Sequence, residues 1–185
     1  MTKESLHQES LRVLVTGAAG VIGTAFWKRR HGEFSLRLAD LHTGKLAEAP
    51  CPSMQLDVSD YAACLAACVG IDVVLHLAGV PHASADFDAQ LLQPNIIGTH
   101  NIFRAAQAQG VKRVVFASSA QAIEGYPLDV QVQESMPARP ANMYGASKAF
   151  GEGVACAFAH QHGMTAIAVR IANVAHFAPG QQHSA

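Results

Sequence analysis

The sequence is short of the features that would assign it to several large protein classes. Only four of its 185 residues are cysteine, and Cys51, Cys64, Cys68 and Cys156 have neither metal-knuckle spacing nor a C-x-x-C redox pair. Cys64 and Cys68 would share a helical face, where two small thiols read as core rather than as half a metal site. The ten histidines are scattered without ligand spacing, so no metal is expected. Charge of one sign is lacking as well, with 13 Lys and Arg against 14 Asp and Glu. The single basic block, Lys28-Arg29-Arg30, suits a solvated helix end, and no nucleic-acid partner is expected. No apolar run reaches the length of a membrane span, and Met1 to Ser10 is polar rather than signal-like. The expectation is a soluble, cytoplasmic protein without a membrane partner.

What is present is a chain half apolar and long enough for one domain with a real core. One stretch orients the rest. The apolar run Leu11 to Val15 leads into Thr16-Gly17-Ala18-Ala19-Gly20-Val21-Ile22-Gly23, which predicts a strand, a tight turn and a helix N-terminus. Gly17 permits a turn closed to residues with a Cβ, Gly20 lets an anion approach the main chain, and Gly23 lets the helix pack on the strand. Free N–H groups and the helix dipole then face a pyrophosphate, with Val21 and Ile22 beside it. A glycine triplet alone also suits a plain surface turn. A dinucleotide site needs an acid at the end of the next strand, about 20 residues on, and the run Ser35 to Ala39 ends at Asp40.

Further strands are predicted over Met54–Leu56, Val73–Leu77, Val111–Ala117 and Thr165–Ile171. Helices are predicted over Val21–His31, over Asp60–Val69 with Ser59 as cap, over Asp86–Gln109 with a break or bend at Pro94, and over Asn142–His162. Strands alternating with helices imply an α/β fold, a Rossmann-type doubly wound parallel sheet. Right-handed crossovers then bring the ends of strands one, two, four and five to one edge. The expected organisation is a flexible N-terminus over 1–10, a Rossmann domain over 11–175 and a flexible tail over 176–185. The loop-rich excursion from Ser118 to Pro140 is long enough to expect a function of it.

At that edge lie Asp57, Leu77-Ala78-Gly79 and Ser118-Ser119, and the following helix carries Tyr144 and Lys148 four residues apart, on one face. A lysine ammonium near a phenol favours the phenolate and lowers the tyrosine pKa from about 10. Such a tyrosine can exchange a proton with a substrate hydroxyl or carbonyl, and Ser119 can hydrogen-bond the same oxygen. Each piece has a plainer alternative. Tyr and Lys at this spacing also occur on solvated helices, Ser118-Ser119 can cap a helix, and Asp57 can cap the helix after it.

Taken in order, these stretches resemble the extended short-chain dehydrogenase/reductase family, the NAD-dependent epimerases, dehydratases and sugar dehydrogenases. Thr16 to Gly23 is similar to its TGxxGxxG loop, Asp57-Val58 to its adenine-side pair, and His76 to Gly79 to its HLA(A/G) stretch. Asn95 to Thr99 is similar to NxxGT, Phe116 to Ser119 to the serines of strand five, Tyr144 to Lys148 to YxxxK, and Arg170 to Val174 to RxxNV. The resemblance implies NAD as cofactor, with Asp40 on the adenosine ribose hydroxyls and repelling a 2′-phosphate. It further implies Asp57 and Val58 at the adenine, Leu77, Ala78 and Gly79 along the pyrophosphate and ribose, and Asn95 as a mainly supporting cofactor residue. Lys148 would meet the nicotinamide ribose as well as Tyr144, so that Ser119, Tyr144 and Lys148 form the catalytic set.

Within the family the chain is most similar to uronate dehydrogenases, which oxidise hexuronic acids. It departs from them at Ala120-Gln121 and Pro81, where that group tends to have Asn-His and a serine, so a sugar and a sugar acid both stay open as substrates. The family also continues past strand six into a small substrate domain, of which no counterpart follows Ile171. A non-catalytic NAD(P)-binding module and a sugar epimerase are the alternatives. The resemblance also implies a homodimer through the long helices, with Phe150, Val154 and Phe158 either in that seam or buried within one copy.

Overall fold

The computed structural model describes residues 10–172. The expected tail over 176–185, the N-terminal segment except Ser10, and Asn173-Val174 lie outside the described residues. Six strands, β1 (Arg12–Thr16), β2 (Ser35–Asp40), β3 (Ser53–Gln55), β4 (Val73–His76), β5 (Arg113–Ser119) and β6 (Thr165–Ile171), form one sheet in the order β3-β2-β1-β4-β5-β6. Every pairing is parallel. The order reverses between β1 and β4, which opens a crevice at the carboxyl ends of those strands.

Alternation along each strand sorts side chains to the two faces. Leu14, Val74, Val114 and Phe116 point to one core, shared with Ile102 and Phe103, beneath the helices α2 (Tyr61–Ala67), α3 (Gly98–Ala108) and α4 (Met143–His162). Val13, Val15, Leu36 and Leu38 point to the other, closed by Trp27 of α1 (Val21–Arg30) and by Leu46. Val154 and Phe158 are partly buried against the first core, whereas Phe150 is 38% exposed.

Three local expectations are corrected. Asp60, not Ser59, caps α2, its carboxylate accepting from the N–H groups of Ala62 and Ala63. Ser59 instead donates its hydroxyl to Asp57 at 2.7 Å, because the side chain of Asp57 folds back over its own turn. Pro94 does not break the helix around it. Residues Phe87–Ile97 form a π-helix that runs directly into α3, and the N–H of Gly98 reaches the carbonyl of Gln93, five residues back. The wider turns take a proline without the collision that it causes in an α-helix. Thirdly, β5 extends through both serines, two residues beyond its expected end, held by pairing of Ser118 with Arg170 and Ser119 with Ile171.

Candidate active site

The crevice is a cavity of about 1030 Å³, at the upper end of the range for small-molecule sites. One end is built largely of backbone. Gly17 adopts φ +69, and a Cβ there would stand 2.6 Å from the nitrogen of Ala78. A Cβ on Gly23 would stand 2.5 Å from the carbonyl oxygen of Gly17. The glycine loop is thus pressed against both its helix and the end of β4. Helix α1 begins at Gly20 with no side-chain cap, so its first N–H groups face the cavity beside Val21 and Ile22 as donors for an anion.

Asp40 stands at the end of β2, where one carboxylate oxygen accepts from the N–H of Ala19 at 2.9 Å and the other from His42 at 3.0 Å. The acid therefore ties the glycine loop to its own strand and keeps lone pairs for a ligand. Asp57 and Val58 form the neighbouring wall, positioned by Asn101, whose amide donates to the carbonyls of Val58 and Ser59. Leu77, Ala78 and Gly79 complete this end. Asn95 does not line the cavity. It is buried beneath it, exchanging hydrogen bonds with both backbone groups of Val80 and donating to Ser147, so it holds the segment after β4 in place.

The other end is built of side chains. Ser119 closes β5, while Tyr144 and Lys148 project from the first turns of α4, and all three line the cavity. Two glycines let α4 lie this close. A Cβ on Gly145 would collide with the carbonyl oxygen of Gln121, and one on Gly151 with the ring of Phe116. Asn142 caps the helix by accepting from the N–H of Gly145 at 2.8 Å and donates its amide to Gln121 at 2.8 Å.

The expected lowering of the Tyr144 pKa is not what the surroundings produce. Burial raises the phenol above its ordinary value, and the Ser119 side chain pulls it partly back. The Lys148 ammonium lies over the rings of Phe116 and Tyr144, 5.2 and 5.7 Å from their centroids, and burial lowers its own pKa to about 8. It remains largely cationic at neutral pH.

Two interactions around the site have no precedent in the sequence patterns. Glu152, one turn beyond Lys148, accepts from the Ser118 hydroxyl at 2.6 Å and from Arg170 at 2.9 and 2.8 Å. Arg170 also reaches the carbonyl of Met136, pinning the excursion that follows β5. Burial pushes the Glu152 carboxyl up, but its bonds from Arg170 and Ser118 outweigh this and hold it below the usual range. Both serines line the cavity, and with Ser118 donating to Glu152, Ser119 is the one whose hydroxyl is not tied to that acid. The spacing of Glu152 four residues after Lys148 was the available clue. The second is a 2.7 Å contact between Thr16 Oγ1 and His76 Nδ1. Thr16 Oγ1 also accepts from the N–H of Ala78, so this pair joins β1 to the turn after β4. Burial and then Lys148 depress the His76 pKa to about 3, keeping it neutral.

The model of the NAD dependent epimerase/dehydratase family matches residues 13–184. The chain belongs to that family. Among its members, uronate dehydrogenase of Pseudomonas putida is 37% identical over 164 residues, covering 86% of this chain and 60% of that protein. The L-arabinose 1-dehydrogenase (NAD(P)(+)) of Haloferax volcanii is 33% identical over 172 residues, covering 86% of this chain and 66% of that protein. Among solved structures, a variant of Agrobacterium tumefaciens uronate dehydrogenase complexed with NAD superposes with a TM-score of 0.78 at 39% identity, covering 84% of this chain and 58% of that one. The family member described here thus spans about 60% of the length of the uronate dehydrogenases that it matches.

Proposed function

We propose that this chain binds NAD and oxidises a hydroxyl of a sugar or sugar acid, with Tyr144 as the proton acceptor. The observation that carries the reading is a single cavity with two unlike ends. An uncapped helix N-terminus, a glycine loop without room for a Cβ, and Asp40 lie at one end. Ser119, Tyr144 and Lys148 lie at the other. The residues fit the cofactor. The glycine loop and the α1 N-terminus would hold the pyrophosphate, Asp40 the adenosine ribose, Asp57 and Val58 the adenine, and Lys148 the second ribose. Relatives named uronate dehydrogenase and L-arabinose 1-dehydrogenase (NAD(P)(+)) support the same assignment.

When bound, the nicotinamide supplies the acceptor for a hydride leaving the substrate carbon. The Ser119 hydroxyl donates to the substrate oxygen and fixes its direction, and the Tyr144 phenolate takes the hydroxyl proton as the carbonyl forms. Burial holds the Tyr144 phenol above its ordinary value, so the phenolate is the minor form at neutral pH, and the Lys148 ammonium lies over that ring. Two electrons and one hydrogen leave with the hydride, one proton goes to Tyr144, and the phenol later returns that proton to solvent.

The test is formation of reduced cofactor from NAD with a panel of aldoses and uronates, with Tyr144→Phe alongside. Oxidation that depends on Tyr144 is expected, and its absence with every sugar overturns the reading. The glycine loop and Asp40 make a complete backbone-built end without help from Ser119 or Tyr144, which favours one second reading, an NAD-binding module without turnover. Calorimetric binding of NAD in a protein that oxidises none of the panel would establish it. The same family reading includes pairing of two copies along α4, where Phe150 is exposed. It also includes a reducing, cytoplasmic setting, which the four free cysteines suit. Sedimentation as a monomer at high concentration would remove the pairing.

A further inference from the structure

We infer that Glu124, at the rim of the substrate end, selects an uncharged aldose over the corresponding uronate. This rests on the NAD-linked oxidation proposed above. Glu124 follows the turn that carries Ser119 and Gln121, is exposed, and lines the cavity. A sugar whose hydroxyl lies against Ser119 and Tyr144 extends its far carbons towards that rim. A terminal CH2OH can hydrogen-bond a carboxylate, whereas a terminal carboxylate meets like charge.

The cations nearest this end, among the described residues, have partners of their own. Among the described residues, the only lysines lining the cavity are Lys45 and Lys148, and no arginine lines it. Lys45 sits beside His42 and Gly44, in the turn after Asp40, at the opposite end. Lys148 is 6% exposed and packed over the Phe116 and Tyr144 rings. Arg170 forms a two-pronged pair with Glu152 and spends its other contacts on the Met136 carbonyl. Arg139 lies over the Tyr126 ring, 5.3 Å from its centroid. Among the described residues that line the cavity, a carboxylate substrate therefore meets an acid at this rim and no arginine to grip it bidentately.

Gln121 adds a positive preference. Its side-chain oxygen accepts from Asn142, which leaves the amide N–H groups as donors, and the residue lines the cavity. Donors of that kind suit a sugar hydroxyl.

The experiment compares kcat/KM for pairs differing only at the terminal carbon, galactose with galacturonate and glucose with glucuronate, in the full chain with saturating NAD. The wild-type protein should favour the aldose of a pair by about tenfold or more. Glu124→Gln, which keeps the shape, should shrink that ratio by about tenfold, and Glu124→Lys should invert it. Preference of the wild-type protein for the uronate, with turnover that Tyr144→Phe abolishes, overturns this inference and leaves the proposed oxidation standing. A ratio unchanged across the three proteins overturns it as well. Binding of NAD without oxidation of either sugar removes both.

Discussion

The two ends of the cavity are made of different material. At the glycine loop the shape comes from main chain, with Gly17 against Ala78 and Gly23 against Gly17, and side chains mostly brace it from outside. At Ser119 and Tyr144 it comes from side chains held by other side chains, Asn142 on Gln121 and Glu152 on Ser118 and Arg170. A ligand common to many proteins can be gripped by backbone that few substitutions alter. A ligand peculiar to one protein needs side chains, which can change one at a time without disturbing the grip at the far end.

If that division holds, substitutions at one end should leave the readout of the other nearly untouched. The largest separation is expected from Tyr144→Phe, which removes the proposed proton acceptor. Turnover should fall by about 10³-fold while the Kd for NAD stays within about twofold, as read by initial rates and calorimetry. Gly23→Ala should do the reverse. Its methyl has no room beside the carbonyl of Gly17, so NAD affinity should fall by about 100-fold, and titration of the purified variant checks this. A smaller effect is expected from Glu152→Gln, which leaves Arg170 partly buried without its counter-charge. A loss of about 2 kcal/mol in unfolding free energy should appear in urea melts.

That last effect depends on pH in a defined direction. The Glu152 carboxyl is held below its ordinary value when folded. Its contribution is therefore complete above the unfolded pKa of about 4.3 and fades as pH falls through the lower folded value. Melts of wild-type and Glu152→Gln proteins should converge in that acidic window and stay apart at neutral pH. The mildest test uses the pH profile of oxidation. Because burial raises the Tyr144 pKa, kcat/KM should rise about tenfold per pH unit from pH 6. A profile flat from pH 6 to 8 would contradict the assignment of Tyr144 as proton acceptor.

The same division explains what could be read from the chain alone. The loop from Thr16 to Gly23, the acid at Asp40 and the full extent of β6 follow from local rules of turn, strand and spacing, and the structure has them. That the sheet is parallel follows from strands alternating with helices. What escaped depends on partners distant in sequence. Glu152 meets Arg170 and Ser118 only after β5, α4 and β6 are assembled. The raised phenol of Tyr144 reflects the depth of its burial, which a four-residue spacing does not encode. At Pro94 the break is missing because the rule for proline is a rule about α-helices, and this segment winds more widely.

Gly145 and Gly151 give α4 a mechanical role. With carbonyl oxygen against one and an aromatic ring against the other, the helix is a jaw fixed at one opening, with no slack to slide closer and no spacer to hold it farther away. The gap between Ser119 and Tyr144 is set when the chain folds, before any substrate arrives. Adapting this cavity to a bulkier ligand would thus have to proceed through the excursion after β5, because prising the jaw open would mean rebuilding two glycine contacts at once.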